Sequence, residues 1–376
     1  METSQSGTND KMREIFSKLA VGRDLTQKEA QTAATKIFSA LSSNEPDYLT
    51  WLTVFFGSLT IKKPSINELI GTAKAMEATK TVSFHFNVNK PVVTAGGTGG
   101  DTLNTINITT PAIITAAAAG AYAVKSGSKS FSSKTGCIDV AEALGVNVHL
   151  PPSEVEECVD KIGTAIWASE DIYPWMHPLI DVGSKSPINQ ILPLLYSLRL
   201  VIATALNPFS LKRQVRGVSE PFTELIANVL GQCSYERALV VLGYGETEKT
   251  KIDEFSTLGK NVVSELKTNG KIETYTVYPE DAGVKKGKTC EIVARESHLE
   301  NAKAVAQVLA GKDVSSRRDI ILLNTASILA LSDVCGDLRD GFELAKQTVD
   351  EGRAFAKLKQ LVQLTCGNSD KLNWLL

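Results

Sequence analysis

Apolar residues Ala33, Ile37, Phe38, Leu41, Leu49, Trp51, Leu52, Phe55 and Phe56 recur at three- and four-residue intervals, the stripe of helices that bury one face. Two capping boxes punctuate this region, Thr26-Gln27-Lys28-Glu29 and Ser65-Ile66-Asn67-Glu68, the second just after Pro64. In each, a hydroxyl can accept the amide three residues on while the glutamate returns to the cap. Residues 1–80 are therefore expected to be helical. From about residue 90 short β-rich runs alternate with longer helical ones, the pattern of a mostly parallel sheet covered on both faces. Val92-Val93, residues 146–148, 238–242, 272–277 and 319–323 are the expected strands. Residues 113–124, 154–162, 221–230 and 302–309 are the expected helices, with loops at Pro151-Pro152 and residues 283–287. The fold class is thus α/β with a smaller helical domain.

Chemistry enters at Gly97-Thr98-Gly99-Gly100-Asp101, which follows the Val92-Val93 run and precedes a Thr/Asn stretch and an Ala-rich segment. That order reads as strand, phosphate-binding loop, helix. Glycines let backbone amides close around an anion, and the helix N-terminus adds partial positive charge. Thr98, Thr102, Thr105, Thr109 and Thr110 supply hydroxyls. An ordinary turn is the competing reading of Gly and Thr alone. A second segment weighs against it, because residues 125–134 (KSGSKSFSSK) place three lysines and five serines directly after an apolar run. A second anion-contacting loop accounts for that clustering better than a solvated one.

Length and charge narrow the field. A chain of 376 residues can bury a large core in two domains, and 40 basic against 42 acidic residues leave no global field for nucleic acid or anionic membrane. The six cysteines are scattered without a Cys-x-x-Cys pair, and read as buried small side chains of a reducing compartment. Four histidines without ligand spacing disfavour zinc. The polar N-terminus, and the lack of any run near 18 strongly apolar residues outside the Ala-rich stretches, point to a cytoplasmic protein. Neither a Walker loop, a Gly-x-Gly-x-x-Gly order nor a Gly-x-Ser-x-Gly elbow is present.

Residues 97–110 (GTGGDTLNTINITT) with 125–145 (KSGSKSFSSKTGCIDVAEALG) resemble the anthranilate phosphoribosyltransferases, and more broadly the superfamily they share with pyrimidine nucleoside phosphorylases. The likeness runs from residues 19–26 (LAVGRDLT) to 350–354 (DEGRA). It implies a helical domain of residues 1–80, joined by helices from about 165–210, and a phosphoribosyl-pyrophosphate-binding α/β domain within 81–376, with the active site in the cleft between. It also implies a homodimer formed through the helical unit, and a place in tryptophan biosynthesis. The donor implied is 5-phosphoribosyl 1-pyrophosphate with Mg²⁺, and the acceptor is anthranilate or a related small aromatic acid. Carried over residue by residue, Gly97, Thr98, Gly99, Gly100, Asp101, Thr105, Asn107, Thr109, Thr110, Lys125 and Ser133 match the donor site. Asp253 and Glu254 match the family's metal-binding Asp-Glu pair. Lys125 and this pair would stabilise the leaving pyrophosphate. Adjacent acids alone are more often surface than site.

The acceptor side departs from the pattern. Where the family has Lys-His-Gly-Asn-Arg, this chain has Lys125-Ser126-Gly127-Ser128-Lys129, so the side chains that reach anthranilate in the family are replaced by serines. Ser126, Gly127 and Ser128 are the corresponding acceptor positions. The segment Tyr196-Ser197-Leu198-Arg199 is closer to the phosphorylase helix whose arginine contacts the base. Arg199, a charge among Leu198, Leu200, Val201 and Ile202, is the candidate for the acceptor's carboxylate or carbonyl. His177, among Tyr173, Pro174 and Trp175, either lines the same pocket or packs a loop. Lys212, Arg213, Glu248 and Lys249 read as solvated loop. These departures predict a planar aromatic acid or carbonyl compound as acceptor, with anthranilate held less well. They keep open a metal-independent pyrimidine nucleoside or nucleotide phosphorylase and a non-catalytic phosphate-binding homologue.

Overall fold

A computed structural model describes residues 2–43, 45, 48–129, 136–179 and 196–376. The chain divides into two compact units, residues 1–81 with 172–207, and residues 82–171 with 208–376.

The first unit contains helices Glu2–Ala20, Gln27–Ser42, Tyr48–Lys62, Ile66–Glu77 and Tyr196–Ala205. Both capping boxes form, at Thr26 with Glu29 and at Ser65 with Glu68. Glu68 is fully buried and does more than cap: it accepts Leu25 N at 2.9 Å and Lys62 Nζ at 2.8 Å, so its charge is paired inside the unit. Phe38, Phe55, Phe56 and Trp175 fill the core, with the Phe38 and Trp175 rings 4.8 Å apart.

The second unit is built on a single sheet, of β1 Val92–Gly97, β2 Tyr122–Gly127, β3 Thr164–Ala168, β4 Arg213–Gly217, β5 Arg237–Tyr244, β6 Lys251–Ile252, β7 Asn261–Leu266 and β8 Ile272–Val277. The order is β3-β2-β1-β4-β5-β7-β8, with the short β6 also on β5. Strands β3 to β5 in that order run parallel, whereas β6 and β7 are antiparallel to β5, and β8 to β7. From β1 the chain builds outward through β2 and β3, then returns to place β4 on β1's other side. Strand order therefore reverses at the β1–β4 pair. The carboxyl ends of strands at such a reversal leave a crevice for ligands.

Several elements differ from the sequence expectation. Residues 319–323 belong to helix Ser316–Leu331, not to a strand. That helix is buried along nearly its whole surface, so it lacks the polar stripe that separates helix from strand in a sequence. Residues 146–148 form no strand; Val148 O accepts Ala168 N at 3.1 Å. The expected 113–124 helix spans Thr109–Ala118, and Gly120, at φ +103°, turns the chain into β2. Arg213 opens β4 rather than lying in a solvated loop. The cysteines are all free, but Cys158 alone is buried, and Cys290 and Cys366 are exposed. Among the described residues no helix is long and apolar enough to cross a membrane.

Candidate active site

The reversal point is floored by glycine. Gly97 at the end of β1 pairs with Gly217 at the end of β4, and Asp253 lies against both. A Cβ on Gly97 would sit 2.0 Å from Asp253 Oδ2, and one on Gly217 would sit 1.4 Å from Asp253 O. Only glycine admits so close an approach. The loop then turns through Gly99 and Gly100, at φ +74° and +81°, and Gly99 N donates to Asp253 Oδ2 at 2.6 Å. Ser219 Oγ donates to Gly99 O at 3.0 Å. Thr102 N and Lys251 O, 3.0 Å apart, fasten the loop to the strand that leads into Asp253. Asp101 Oδ2 accepts Thr105 N at 3.2 Å, folding the acid back over the loop.

The Thr109–Ala118 helix starts where the loop ends. Asn107 Oδ1 accepts Thr110 N at 3.1 Å, taking one of the amides that a helix N-terminus leaves open. Thr109 Oγ1 donates to Glu254 Oε1 at 2.9 Å, while the buried Thr110 hydroxyl has no partner among the described residues. Lys125, on β2, is 95 % buried, and its Nζ would lie 3.5 Å from a Cβ on Gly96. Loop, helix start, Lys125 and the acidic pair thus meet within one unit.

Two carboxylates in this space are perturbed by their surroundings. Burial, then the charges of Asp253 and Asp101, raise the Glu254 pKa well above the usual carboxylate range; the Thr109 hydroxyl and Lys125 offset only part of this. Burial and then the Asp253 charge push Asp101 to about 6, against backbone amides that favour its ionised form. Such a set is costly alone and is relieved by a cation. Among the described residues no three His, Cys, Asp or Glu side chains form a closed metal cage. An open set suits Mg²⁺, which uses one or two carboxylates and completes its shell with water and phosphate oxygens. The described hydrogen bonds occupy one oxygen each of Asp253 and Glu254.

The acceptor-side positions are spread more widely. Ser126 and Gly127 end β2, and Ser128 follows, its carbonyl 3.7 Å from Cys137 Sγ. Arg199 is half-buried in helix Tyr196–Ala205, and His177 is exposed; both belong to the first unit. Ser133 lies outside the described residues. Sequence reasoning overlooks Gly217 and Ser219, which hold Asp253 and the loop.

These features define an α/β protein with a glycine loop and an acidic pair at the sheet's reversal point. Residues 89–355 match the model of the glycosyl transferase family, a/b domain. The anthranilate phosphoribosyltransferases of Acetivibrio thermocellus and Symbiobacterium thermophilum are each 33% identical to the chain, over 94% of it and over 96% and 98% of their own lengths. The crystal structure of anthranilate phosphoribosyltransferase from Thermus thermophilus superimposes with a TM-score of 0.76 at 25% identity, covering 93% of this chain and 99% of that one. The Saccharomyces cerevisiae anthranilate phosphoribosyltransferase in complex with PRPP and Mg shares the fold, with a TM-score of 0.78 at 21% identity over 94% and 98% of the two chains. The chain belongs to the anthranilate phosphoribosyltransferase family.

Proposed function

We propose that the protein transfers the 5-phosphoribosyl group of 5-phosphoribosyl 1-pyrophosphate to the amino nitrogen of anthranilate, releasing pyrophosphate. The observation that carries this reading is Asp253, seated on Gly97 and Gly217 and bonded to the amide of Gly99, which ties the anion loop to the acidic pair. The family and the names of the relatives support the same chemistry.

In this reading the C1–O bond to pyrophosphate breaks as the amine attacks C1, and the amine proton leaves to solvent. An arylamine is nucleophilic as the free base, so no buried general base is required. The main need is to accept charge on the leaving pyrophosphate and to fix the partners. The loop amides, the unpartnered Thr110 hydroxyl and the start of the Thr109–Ala118 helix supply donors for phosphate oxygens. Lys125 adds a fixed positive charge. Asp253 and Glu254 would hold Mg²⁺, which when bound neutralises the pyrophosphate. Thr109 keeps Glu254 oriented. Arg199 is assigned to the acceptor's carboxylate, with Ser126, Ser128 and His177 as further acceptor contacts, and the working form is a homodimer.

Calorimetry of donor binding tests the site. Affinity for the donor should fall when EDTA replaces Mg²⁺; equal affinity in both would remove Asp253 and Glu254 from the metal role.

A further inference from the structure

Residues 253–258 run between β6 and β7 outside any strand, yet Asp253 and every residue from Phe255 to Leu258 are buried. Buried backbone away from a ladder needs hydrogen-bond partners from side chains or other loops. Two asparagines supply them. Asn324, on helix Ser316–Leu331 and 5 % exposed, accepts Phe255 N through Oδ1 at 3.0 Å and donates to Phe255 O through Nδ2 at 2.8 Å. The same Nδ2 donates to Ile320 O at 2.8 Å, one turn back on its own helix. Asn261, fully buried at the start of β7, repeats the arrangement on the next residue: Oδ1 accepts Ser256 N at 2.7 Å, and Nδ2 donates to Ser256 O at 3.0 Å. A side-chain amide offers one acceptor and a pair of donors, so each asparagine stands in for a missing neighbouring strand.

Phe255 directly follows Glu254, so what fixes its backbone fixes the acid. On the other side of the segment, a Cβ on Gly243 would lie 2.3 Å from Glu254 O, and one on Gly217 would lie 3.1 Å from Glu254 N. The Glu254 backbone is thus seated on two glycines and closed at the next residue by Asn324. The charges of Asp253 and Asp101 act on Glu254, and a loose segment would relieve that repulsion by letting the acids swing apart. Thr109 holds only the far end of the Glu254 side chain. The backbone beneath it is held from a helix about seventy residues further along the chain.

We propose that Asn324 is a positioning residue, which clasps both polar groups of the Phe255 backbone and so keeps Asp253 and Glu254 close enough to act as a pair. The inference rests on the metal-binding role proposed for the pair above.

The test compares Asn324→Leu, which keeps the size and removes both bonds, with the unsubstituted protein, checking folding by circular dichroism and melting temperature. Asn324→Ser is the second variant and decides the matter if the leucine variant does not fold. Hydrogen exchange read by mass spectrometry over residues 253–258 reports on the clasp. Calorimetry of inorganic pyrophosphate binding, with Mg²⁺ and with EDTA, reports on the acids. Exchange at Phe255 should quicken by about tenfold or more. The gain in pyrophosphate affinity on adding Mg²⁺ should shrink by about tenfold or more, with the affinity in EDTA within about twofold of the original. A side chain that merely stabilised the fold would leave the Mg²⁺ gain untouched. Unchanged exchange, or a Mg²⁺ gain within about twofold of the original in a folded variant, would overturn the proposal. If the unsubstituted protein binds pyrophosphate equally well with Mg²⁺ and with EDTA, the metal reading itself fails, and the exchange arm alone decides on Asn324.

Discussion

Gly99 and Asp253, 154 residues apart in the chain, are joined by one hydrogen bond in which the glycine amide donates to the carboxylate at 2.6 Å. The bond sets the height of the glycine loop against the acidic pair, and it forms because Gly97 and Gly217 leave room for Asp253. Gly97→Ala should push the carboxylate off the loop. Steady-state kinetics should show kcat/KM reduced by about tenfold or more, about 1.4 kcal/mol of transition-state stabilisation. Unchanged kinetics with an intact fold would show that the approach of Asp253 is incidental.

Replacing the acids tests their role more directly. Asp253→Asn with Glu254→Gln keeps shape and removes charge, so donor affinity should lose its dependence on Mg²⁺ and turnover should drop by at least about tenfold. Calorimetry with and without EDTA reads the first effect and pyrophosphate release the second. A double variant that still binds the donor more tightly with Mg²⁺ would place the metal elsewhere.

Under the role proposed for Arg199, Arg199→Ala should raise KM for the acceptor far more than for the donor, because the acceptor alone would lose a charge-assisted bond. Initial-rate measurements with each substrate varied in turn separate the two. Equal changes in both KM values would make Arg199 structural.

A fourth expectation concerns pH. Asp333 binds Arg213 and Arg237 at the opening residues of β4 and β5. Partial burial raises its pKa, but the two arginines outweigh this and hold it below the usual aspartate value. An acid with a depressed folded pKa stabilises fully above its unfolded pKa, near 4, and loses that contribution as pH falls toward the folded value. Asp333→Asn should therefore lower the melting temperature at pH 7 and converge on the original protein in acid below about pH 4. The side chain is 53% exposed, so the effect should stay below about 1 kcal/mol. Thermal melts across pH check it; a constant difference down to acid would mean that charge is not the cause.

How far the sequence carries depends on whether the signal is local. The capping boxes at Thr26 and Ser65 and the glycine loop are visible because their partners lie within a few residues. Asp253 and Glu254 become visible only through resemblance, since adjacent acids look alike on a surface and over a glycine floor. Helix Ser316–Leu331 hides because burial on all sides erases its period. Strand β2 hides because Ala119-Gly120-Ala121 continues the composition of the helix before it. Strand β3 is five residues long and wholly buried, too short for a period to declare itself.

The most direct test of the whole account is a transfer assay with the unsubstituted enzyme, 5-phosphoribosyl 1-pyrophosphate, Mg²⁺ and anthranilate, measuring pyrophosphate released and anthranilate consumed. The account predicts equal amounts of both, dependent on donor, acceptor and metal together. No consumption of anthranilate, or instead phosphate-dependent release of a pyrimidine base from a nucleoside or nucleotide without metal, would contradict it.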